Sequence, residues 1–157
     1  METEAVTDLI PFLIFRLGDQ RYALGIDEVV EVAAMVRLID TPDTNAVFLG
    51  LANRHGEALP VLDLRPVFGQ AAPRIDTSTV FVVARAADQP VGLVVDEVLH
   101  IEYFDPRQVP ASSAQDRHVR GVITRDEEIF QLIALPSLVA KYLLSAGPAN
   151  TEGGQTP

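Results

Sequence analysis

The sequence predicts an all-β protein made of two similar small units, each a closed barrel or a sandwich. Three observations support this prediction. The chain repeats itself once, each repeat contains short stretches rich in β-branched and aromatic residues, and turn residues separate these stretches at short intervals. With 157 residues, 48% of them hydrophobic, the chain is long enough for one domain or two very small ones.

The internal repeat is the strongest signal in the sequence. At a shift of 69 positions, residues 12–32 match the second half at eight positions, whereas chance supplies about one or two. From residue 50 onward the halves match at a shift of 71. The identities are Phe12, Arg16, Asp19, Gln20, Leu24, Asp27, Glu28 and Val29 at the first shift, and Gly50, Arg54, Glu57 and Leu64 at the second. Two homologous lobes are therefore predicted, at about 12–69 and 80–144, with a linker at about 70–79.

Short strands are predicted in both lobes. They are Phe12–Leu17, Tyr22–Ile26, Val47–Ala52 and Glu57–Leu64 in the first lobe, and Val80–Arg85 and Val91–Val95 in the second. Gly18-Asp19 suits a hairpin turn between the first two strands, and Asn53 and Gly56 signal a turn between the later pair. A lobe of about 60 residues buries only about 60% of its surface, so packing the lobes together would enlarge both cores.

One helix is predicted, at Leu135–Leu144. Its apolar residues fall at i, i+3, i+4, i+7 and i+8, which makes one continuous stripe. Pro136 suits the first helical turn. Residues 145–157 offer nothing that can be buried and are predicted to form a disordered tail, and residues 1–11 a flexible N-terminus.

Composition and charge exclude several classes of protein. The formal net charge is −10, which would repel a phosphate backbone, and the absence of cysteine excludes disulfides and thiolate metal sites. The first residues are acidic, whereas a secretory signal begins with basic ones. The longest apolar runs are far shorter than the roughly 20 residues that cross a bilayer. We expect a cytoplasmic protein with no nucleic-acid partner and no direct membrane insertion.

No motif for catalysis or cofactor binding is present. The only lysine, Lys141, does not follow a glycine-rich phosphate loop, and no Gly-x-Ser-x-Gly elbow occurs. His55, His100 and His118 lack the spacing of metal ligands. The sequence therefore predicts no catalytic residue, no metal and no cofactor.

Two acidic pairs, Asp27-Glu28 and Asp96-Glu97, stand at equivalent points of the two lobes. Adjacent strand residues point to opposite faces, so the carboxylates of one pair would not converge on a substrate. Nothing in the sequence indicates the cleft and the raised pKa that a catalytic carboxylate needs. We interpret the pairs as structural, with each Asp capping backbone N–H groups of a following turn.

The segment Asn53–Glu57 is the most polar turn between apolar strands of the first lobe. It is either a solvated hairpin tip or a contact surface, because exposed loops on rigid scaffolds commonly carry binding. The residues themselves leave both interpretations open.

Three motifs resemble the CheW-like domain family. Residues 12–32 read Phe-x-x-Phe-x-Leu-Gly-x-x-x-Tyr-Ala-Leu-x-Ile-x-x-Val-x-Glu-Val, which is similar to the opening of such domains. Residues 50–65 read Gly-Leu-Ala-Asn-x-x-Gly-Glu-x-x-Pro-Val-Leu-Asp-Leu-Arg, which resembles the central signature. Residues 91–98, Val-Gly-Leu-Val-Val-Asp-Glu-Val, resemble the strand and turn of the second lobe. The resemblance spans about residues 12–144.

The resemblance implies two pseudo-symmetric, five-stranded, SH3-like β-barrels packed together. It also implies a stand-alone, non-catalytic adaptor of chemotaxis, which links the cytoplasmic tip of a methyl-accepting chemoreceptor to the regulatory domain of a CheA-type histidine kinase. Such an adaptor is expected to be monomeric alone and to be recruited to receptor arrays at the inner membrane. The alternatives are a scaffold of a parallel pathway, such as twitching motility, and a small ligand-binding barrel.

The resemblance further implies a groove at the first-lobe strand edge and lobe junction that takes the helical receptor tip, while exposed barrel edges contact the kinase. By motif position the partner-binding residues are Ile26, Val29, Glu31, Gly50, Arg54, His55 and Gly56. The family's turn usually has Arg just before the glycine, where this chain has His55. Because histidine pairs with a carboxylate only when protonated and lacks the guanidinium fork, we expect either Arg54 or His55 to contact Glu31.

Overall fold

The computed structural model describes residues 8–110 and 118–144. Within these ranges the strands are β1 (Ile10–Leu17), β2 (Gln20–Gly25), β3 (Val29–Ala34), β4 (Leu38–Ile39), β5 (Phe48–Arg54), β6 (Glu57–Asp63), β7 (Val80–Ala86), β8 (Gln89–Val95), β9 (Glu97–Phe104), β10 (Val119–Arg125) and β11 (Glu128–Ile133). The helical segments are α1 (Leu64–Val67), α2 (Leu135–Val139), a π-helical turn (Ala140–Leu144) and two 3-10 turns (Ile26–Glu28 and Pro106–Gln108). No helix in the described ranges has the length and apolar character needed to cross a membrane.

The strands form two sheets of matching topology. One has the order β10-β11-β2-β1-β9, and the other has the order β3-β7-β8-β6-β5-β4. We call them barrel 1 and barrel 2. Equivalent strands of the two repeats occupy equivalent places, and barrel 2 has the additional two-residue strand β4. The predicted all-β fold of two SH3-like barrels with a short C-terminal helix is confirmed.

The sheets do not follow the sequence repeats. Barrel 1 joins the first hairpin, β1–β2, to strands β9, β10 and β11 of the second repeat, and barrel 2 joins hairpin β7–β8 to β3, β5 and β6 of the first. The hairpin of each repeat is joined to the strands of the other repeat by a parallel pairing, β2 with β11 in barrel 1 and β8 with β6 in barrel 2. The predicted lobes at 12–69 and 80–144 therefore describe the repeat of the sequence, and neither lobe forms a sheet of its own.

Three apolar clusters explain why the hairpin strands read as unbroken hydrophobic runs. On β1, Phe12 and Ile14 fill barrel 1, whereas Leu13, Phe15 and Leu17 pack between the barrels. Strand β7 alternates in the same way between barrel 2 and the inter-barrel cluster. A strand that is buried on both faces needs apolar residues at every position.

The boundaries of the predicted elements agree with the structure, but some strands were not predicted. All six predicted strands are present within one or two residues, and the predicted helix at Leu135–Leu144 is observed as α2 followed by the π-helical turn. Strands β3, β4, β9, β10 and β11 were not among the predicted ones. Strand β1 begins at Ile10, inside the predicted flexible N-terminus 1–11, and the predicted tail 145–157 lies outside the described residues.

Candidate functional site

An ion pair between Glu31 and Arg54 spans the open side of barrel 2. Glu31 lies on β3 and Arg54 ends β5, and these strands are not neighbours in the sheet. Arg54 Nε donates a hydrogen bond to Glu31 Oε2 at 2.8 Å, and Arg54 Nη2 lies 2.8 Å from the same oxygen. The expectation that Arg54 or His55 contacts Glu31 is confirmed, with Arg54 as the partner. A partly exposed pair contributes at most about 1 kcal/mol, so its main effect is on the shape of the barrel opening.

The β5–β6 turn explains why Arg54, and not His55, makes this contact. Arg54 is the last ladder partner of Glu57, which leaves His55 and Gly56 as a two-residue loop. Their φ values are 54° and 85°, the pattern of a type I′ hairpin turn. Arg54 therefore belongs to the strand and is aimed across the opening, whereas His55 stands at the exposed tip.

A shallow groove lies between β3 and β5, beside the ion pair. It has a volume of about 230 Å³. Its lining consists of Glu31, Ala33, Ala34, Val36, Ala52, Asn53, Arg54, His55 and Phe81. Val36, in the loop after β3, is 46% exposed, and Val30 and Val32 on β3 are each 44% exposed. We call this the barrel-2 groove. It presents apolar side chains around one fixed ion pair.

The predicted partner-binding residues lie in four different places. Glu31, Arg54 and His55 line the barrel-2 groove, and Gly56 lines a neighbouring depression of about 210 Å³. Gly50 is buried beneath the Ile39 carbonyl, where a Cβ atom would collide with that oxygen. Gly50 therefore shapes the β4–β5 contact and presents no surface of its own.

Ile26 and Val29, the remaining two, are half-buried against the inter-barrel cluster. They mark the junction between the barrels and do not line the groove. The exposed valines of β3 and of the following loop were missed by the sequence analysis. Their alternation with inward-facing Ala33 and Met35 is the signal that could have found them.

Barrel 1 repeats this arrangement with different surroundings. Arg125, the equivalent of Arg54, pairs with Glu102 on β9, and His100 Nε2 lies 2.8 Å from the other oxygen of the same carboxylate. On the outer face of the β10–β11 hairpin, Val122 is 52% and Ile129 is 55% exposed. Each barrel therefore carries an ion pair across its open side and an exposed apolar surface nearby.

The comparison of this chain with known proteins agrees with the paired barrels. The CheW-like domain family matches residues 11–142. The chain belongs to the CheW-like domain family. It is similar to the probable chemotaxis protein CheW of Rhizobium etli, with 29% identity over 82% of this chain and 86% of the relative. It is also similar to protein PilI of Pseudomonas aeruginosa, with 27% identity over 82% of this chain and 74% of the relative.

A solved structure of the same family supports a scaffolding role. The scaffolding protein CheW of Thermoanaerobacter tengcongensis superposes with a TM-score of 0.70 at 25% identity, and the match covers 80% of this chain and 88% of that one. Both the family resemblance and the adaptor class inferred from the sequence are thereby confirmed. This CheW-like chain is a scaffold of the chemotaxis type.

The Leu-Asp-Leu-Arg end of the CheW-like signature forms a buried ion network. Arg65 is 4% exposed and Asp63 is 3% exposed. Arg65 Nε and Nη2 donate to the two oxygens of Asp63 at 2.9 and 3.0 Å, and Nη1 donates to Asp96 Oδ1 at 3.3 Å. Burial disfavours the charge on Arg65, but the contacts with Asp63 and Asp96 outweigh this and raise its pKa. The sequence shows these residues as a motif and gives no sign of the tertiary contact.

The duplicated acidic pairs of the CheW-like fold occupy the two crossovers between barrels. Asp96 Oδ2 accepts a hydrogen bond from the Gly18 N–H at 2.7 Å. Asp96 therefore accepts from a backbone N–H group, but the prediction that it caps a following turn is wrong, because the N–H group belongs to the β1–β2 turn of the other repeat. Burial and the charge of Asp27 raise the pKa of Glu28 to about 7 against the opposing effect of Arg120, a shift that nothing in the sequence indicated.

Metal binding finds no support in the arrangement of acidic and histidine side chains. Across residues 8–110 and 118–144, no three His, Asp or Glu side chains converge in a way that could hold a metal ion. Glu28 lines none of the depressions described here around barrel 2. The candidate site thus consists of a shallow groove, an ion pair and exposed valines.

Proposed function

We propose that this chain is a non-catalytic adaptor that couples the cytoplasmic tip of a chemoreceptor to a CheA-type histidine kinase. The observation that carries the proposal is the presence of two separate exposed apolar surfaces, one on each barrel, in a chain of the CheW-like family. An adaptor needs two such surfaces, because it holds both partners at the same time. In this role the protein works in the cytoplasm beside receptor arrays and is monomeric alone.

The barrel-2 groove suits a helical receptor tip. A helix docks in a groove through apolar anchors, while a few charges set its register. Val36 supplies an apolar wall, and the Glu31–Arg54 pair supplies one acceptor and one donor at a fixed position. His55 stands at the exposed rim of the groove.

The β10–β11 face of barrel 1 suits the regulatory domain of the kinase. Val122 and Ile129 lie diagonally on the outer face of this hairpin, since Thr124 is the ladder partner of Ile129 and Gln131 is that of Val122. A flat apolar face of this kind fits a second barrel better than a helix. The kinase's regulatory domain is itself expected to be CheW-like, so barrel would pack against barrel.

A matched pair of substitutions tests the division of labour. Val36→Asp places a charge in the groove and Val122→Asp places one on barrel 1, and the two side chains are similarly exposed, at 46% and 52%. We expect Val36→Asp to weaken binding of the receptor tip by about tenfold or more and to spare the kinase domain, and Val122→Asp to do the reverse. Calorimetry with each partner alone measures both. Equal loss of both partners in either variant would contradict the assignment.

The pathway that this adaptor serves is a separate question. Similarity to PilI at 27% identity is close to the similarity to Rhizobium etli CheW at 29%, and His55 departs from the arginine that the family usually has in this turn. Both observations favour a parallel kinase system as the second candidate. Capture assays against every CheA-type kinase encoded in the same genome would decide between the two.

The small ligand-binding barrel finds less support. That alternative would need an open pocket near His100, Asp96 or Glu97. The depressions described around barrel 2 are lined by none of these residues. Both oxygens of Asp96 are engaged within the protein, by Gly18 and Arg65.

A further inference from the structure

We propose that Arg65 and Asp96 are positioning residues that fix the orientation of the two barrels and thereby let one molecule hold both partners at once. This inference rests on the proposed adaptor function, and it deepens it by naming the contact that joins the two binding surfaces. The two surfaces lie on different barrels, so the geometry of the joint determines whether both can be occupied together.

Asp96 is the crossover between the barrels. Strand β8 ends at Val95 in barrel 2 and β9 begins at Glu97 in barrel 1, so Asp96 is the single residue between them. Its Oδ2 accepts from the Gly18 N–H of barrel 1 at 2.7 Å, and its Oδ1 accepts from Arg65 Nη1 at 3.3 Å. One carboxylate thus connects the β1–β2 turn of barrel 1 to α1, the helix that follows β6 of barrel 2.

Arg65 holds its side of this contact rigidly. It follows β6 in α1, and its guanidinium is fixed by the fork on Asp63. Nη2 also donates to the Pro73 carbonyl in the linker at 3.2 Å. A planar fork held at several points leaves the Arg65 side chain one orientation, so the Asp96 contact transmits a defined geometry.

Among residues 8–110 and 118–144, the other crossover shows no such contact. In the repeat, Asp63 and Arg65 correspond to Ala134 and Pro136 at the shift of 71. The crossover at Ile26–Glu28 therefore lacks an equivalent arginine at that place. On the Asp96 side the Arg65 network joins the barrels together with the shared apolar cluster and the hydrogen bond from the Asp96 N–H to the Arg16 carbonyl at 3.1 Å.

Stability alone does not explain a buried ion network of this kind. Well-packed apolar residues of similar volume often do as well or better than buried ion pairs, because desolvation offsets the attraction between charges. What a buried network supplies is a unique geometry, since its hydrogen bonds are satisfied in one arrangement only. A fixed inter-barrel angle is the property that an adaptor with two binding surfaces requires.

The first test compares separate and simultaneous binding. Asp96→Asn and Arg65→Lys are measured against the receptor tip alone, the kinase regulatory domain alone, and both together. We expect each single affinity to change less than about twofold and the affinity for the second partner, once the first is bound, to fall about fivefold or more. Leu132→Ala, at a buried position of barrel 1 whose ladder partners Gly121 and Ala23 lie outside the network, controls for general destabilisation and should leave that ratio unchanged. A parallel loss in all three measurements, or the same loss in Leu132→Ala, overturns the inference.

The second test needs no partner. The chain has no cysteine, so spin labels at Thr124→Cys on barrel 1 and Glu57→Cys on barrel 2 report the distance between the barrels. We expect a narrow distance distribution in the otherwise unchanged protein and a broader or shifted one with Asp96→Asn. An unchanged distribution overturns the positioning role. If the unchanged protein binds neither partner, the adaptor function fails, and the distance measurement still decides the role of the joint.

Discussion

The two duplicated acidic pairs have the same residues at equivalent positions and different chemistry. At the second crossover, Asp96 is enclosed between Gly18 and Arg65, and Glu97 is exposed on the surface with Arg16 Nε at 3.2 Å. At the first crossover the described part of the chain shows no buried arginine network around the pair, and Glu28 is half-buried with a pKa raised to about 7. Duplication has kept the backbone path while the neighbours of these side chains diverged.

The divergence arises outside the acidic pairs. Arg65 belongs to the stretch after β6, whose equivalent in the second half holds Pro136 and starts α2. Arg65 makes the second crossover an ion-paired joint, whereas Pro136 offers no cation at the equivalent place in the sequence. Each sheet contains strands of both repeats. The role of a residue in one repeat therefore depends on which residues of the other repeat contact it.

The largest expected effect comes from removing Arg65. Arg65→Met would leave Asp63 buried without its cation and Asp96 without one partner, and a broken buried pair costs about 3–5 kcal/mol. The free energy of unfolding, measured with urea, should fall by that amount. A loss below about 1 kcal/mol would mean that the network is not buried as described.

The next effect compares the two aspartates directly. Asp96→Asn keeps the size of the side chain but weakens the charge-assisted contacts with Gly18 and Arg65, so we expect a loss of about 1–3 kcal/mol. Asp27→Asn at the exposed equivalent position should change stability by no more than about 0.5 kcal/mol. Thermal melting of both variants measures the contrast, and equal losses would remove the distinction between the crossovers.

The pH dependence of stability distinguishes the two glutamates. The folded-state pKa of Glu28 lies above its unfolded value, so its favourable contribution is present at acid pH and is lost as the pH rises through about 7. Glu28→Gln should therefore stabilise the protein more at pH 8 than at pH 5. With solvent screening of the half-buried group taken into account, we expect a difference of about 1–2 kcal/mol.

Glu97→Gln is the matched control for that experiment. It changes the same residue type at the equivalent exposed position, beside Arg16. If Glu97→Gln produced the same gain at pH 8, the neighbours of Glu28 would not be the cause of its behaviour.

The smallest expected effect concerns the hairpin tips. Glu127 occupies the place of Gly56 in the equivalent type I′ turn and has a φ of 69°. A non-glycine residue in this region is strained, so Glu127→Gly should stabilise the protein by about 0.5–1 kcal/mol. Denaturant unfolding measures the gain, and Gly56→Glu should show a loss of similar size. A destabilised Glu127→Gly variant would show that the turn is not strained.

The sequence was sufficient for the fold class because self-similarity and strand patterns are local properties. The six predicted strands are those with unbroken apolar runs or clear turn residues. Strands β3 and β9, which were not predicted, present part of one face to solvent, and a bulge at Val30 and at Leu99 interrupts the alternation in each. Local patterns weaken where a strand bends away from its partner.

The exchange of hairpins between repeats could not be predicted. Two similar repeats have similar pairing preferences, so the sequence does not say whether β2 pairs with its own repeat or with the other. The same reason hid the Arg65–Asp96 contact, which joins residues from different repeats. The contact between Glu31 and Arg54 could be predicted because both residues belong to motifs of the same repeat.

The most direct test of the adaptor account is a three-component sedimentation experiment with the full chain. A fluorescent receptor-tip peptide is mixed with the kinase regulatory domain, with and without this protein. The account predicts that the peptide sediments with the kinase domain only when the protein is present, in a complex containing one copy of each. Competition between peptide and kinase domain for the protein, or binding of neither, would contradict it.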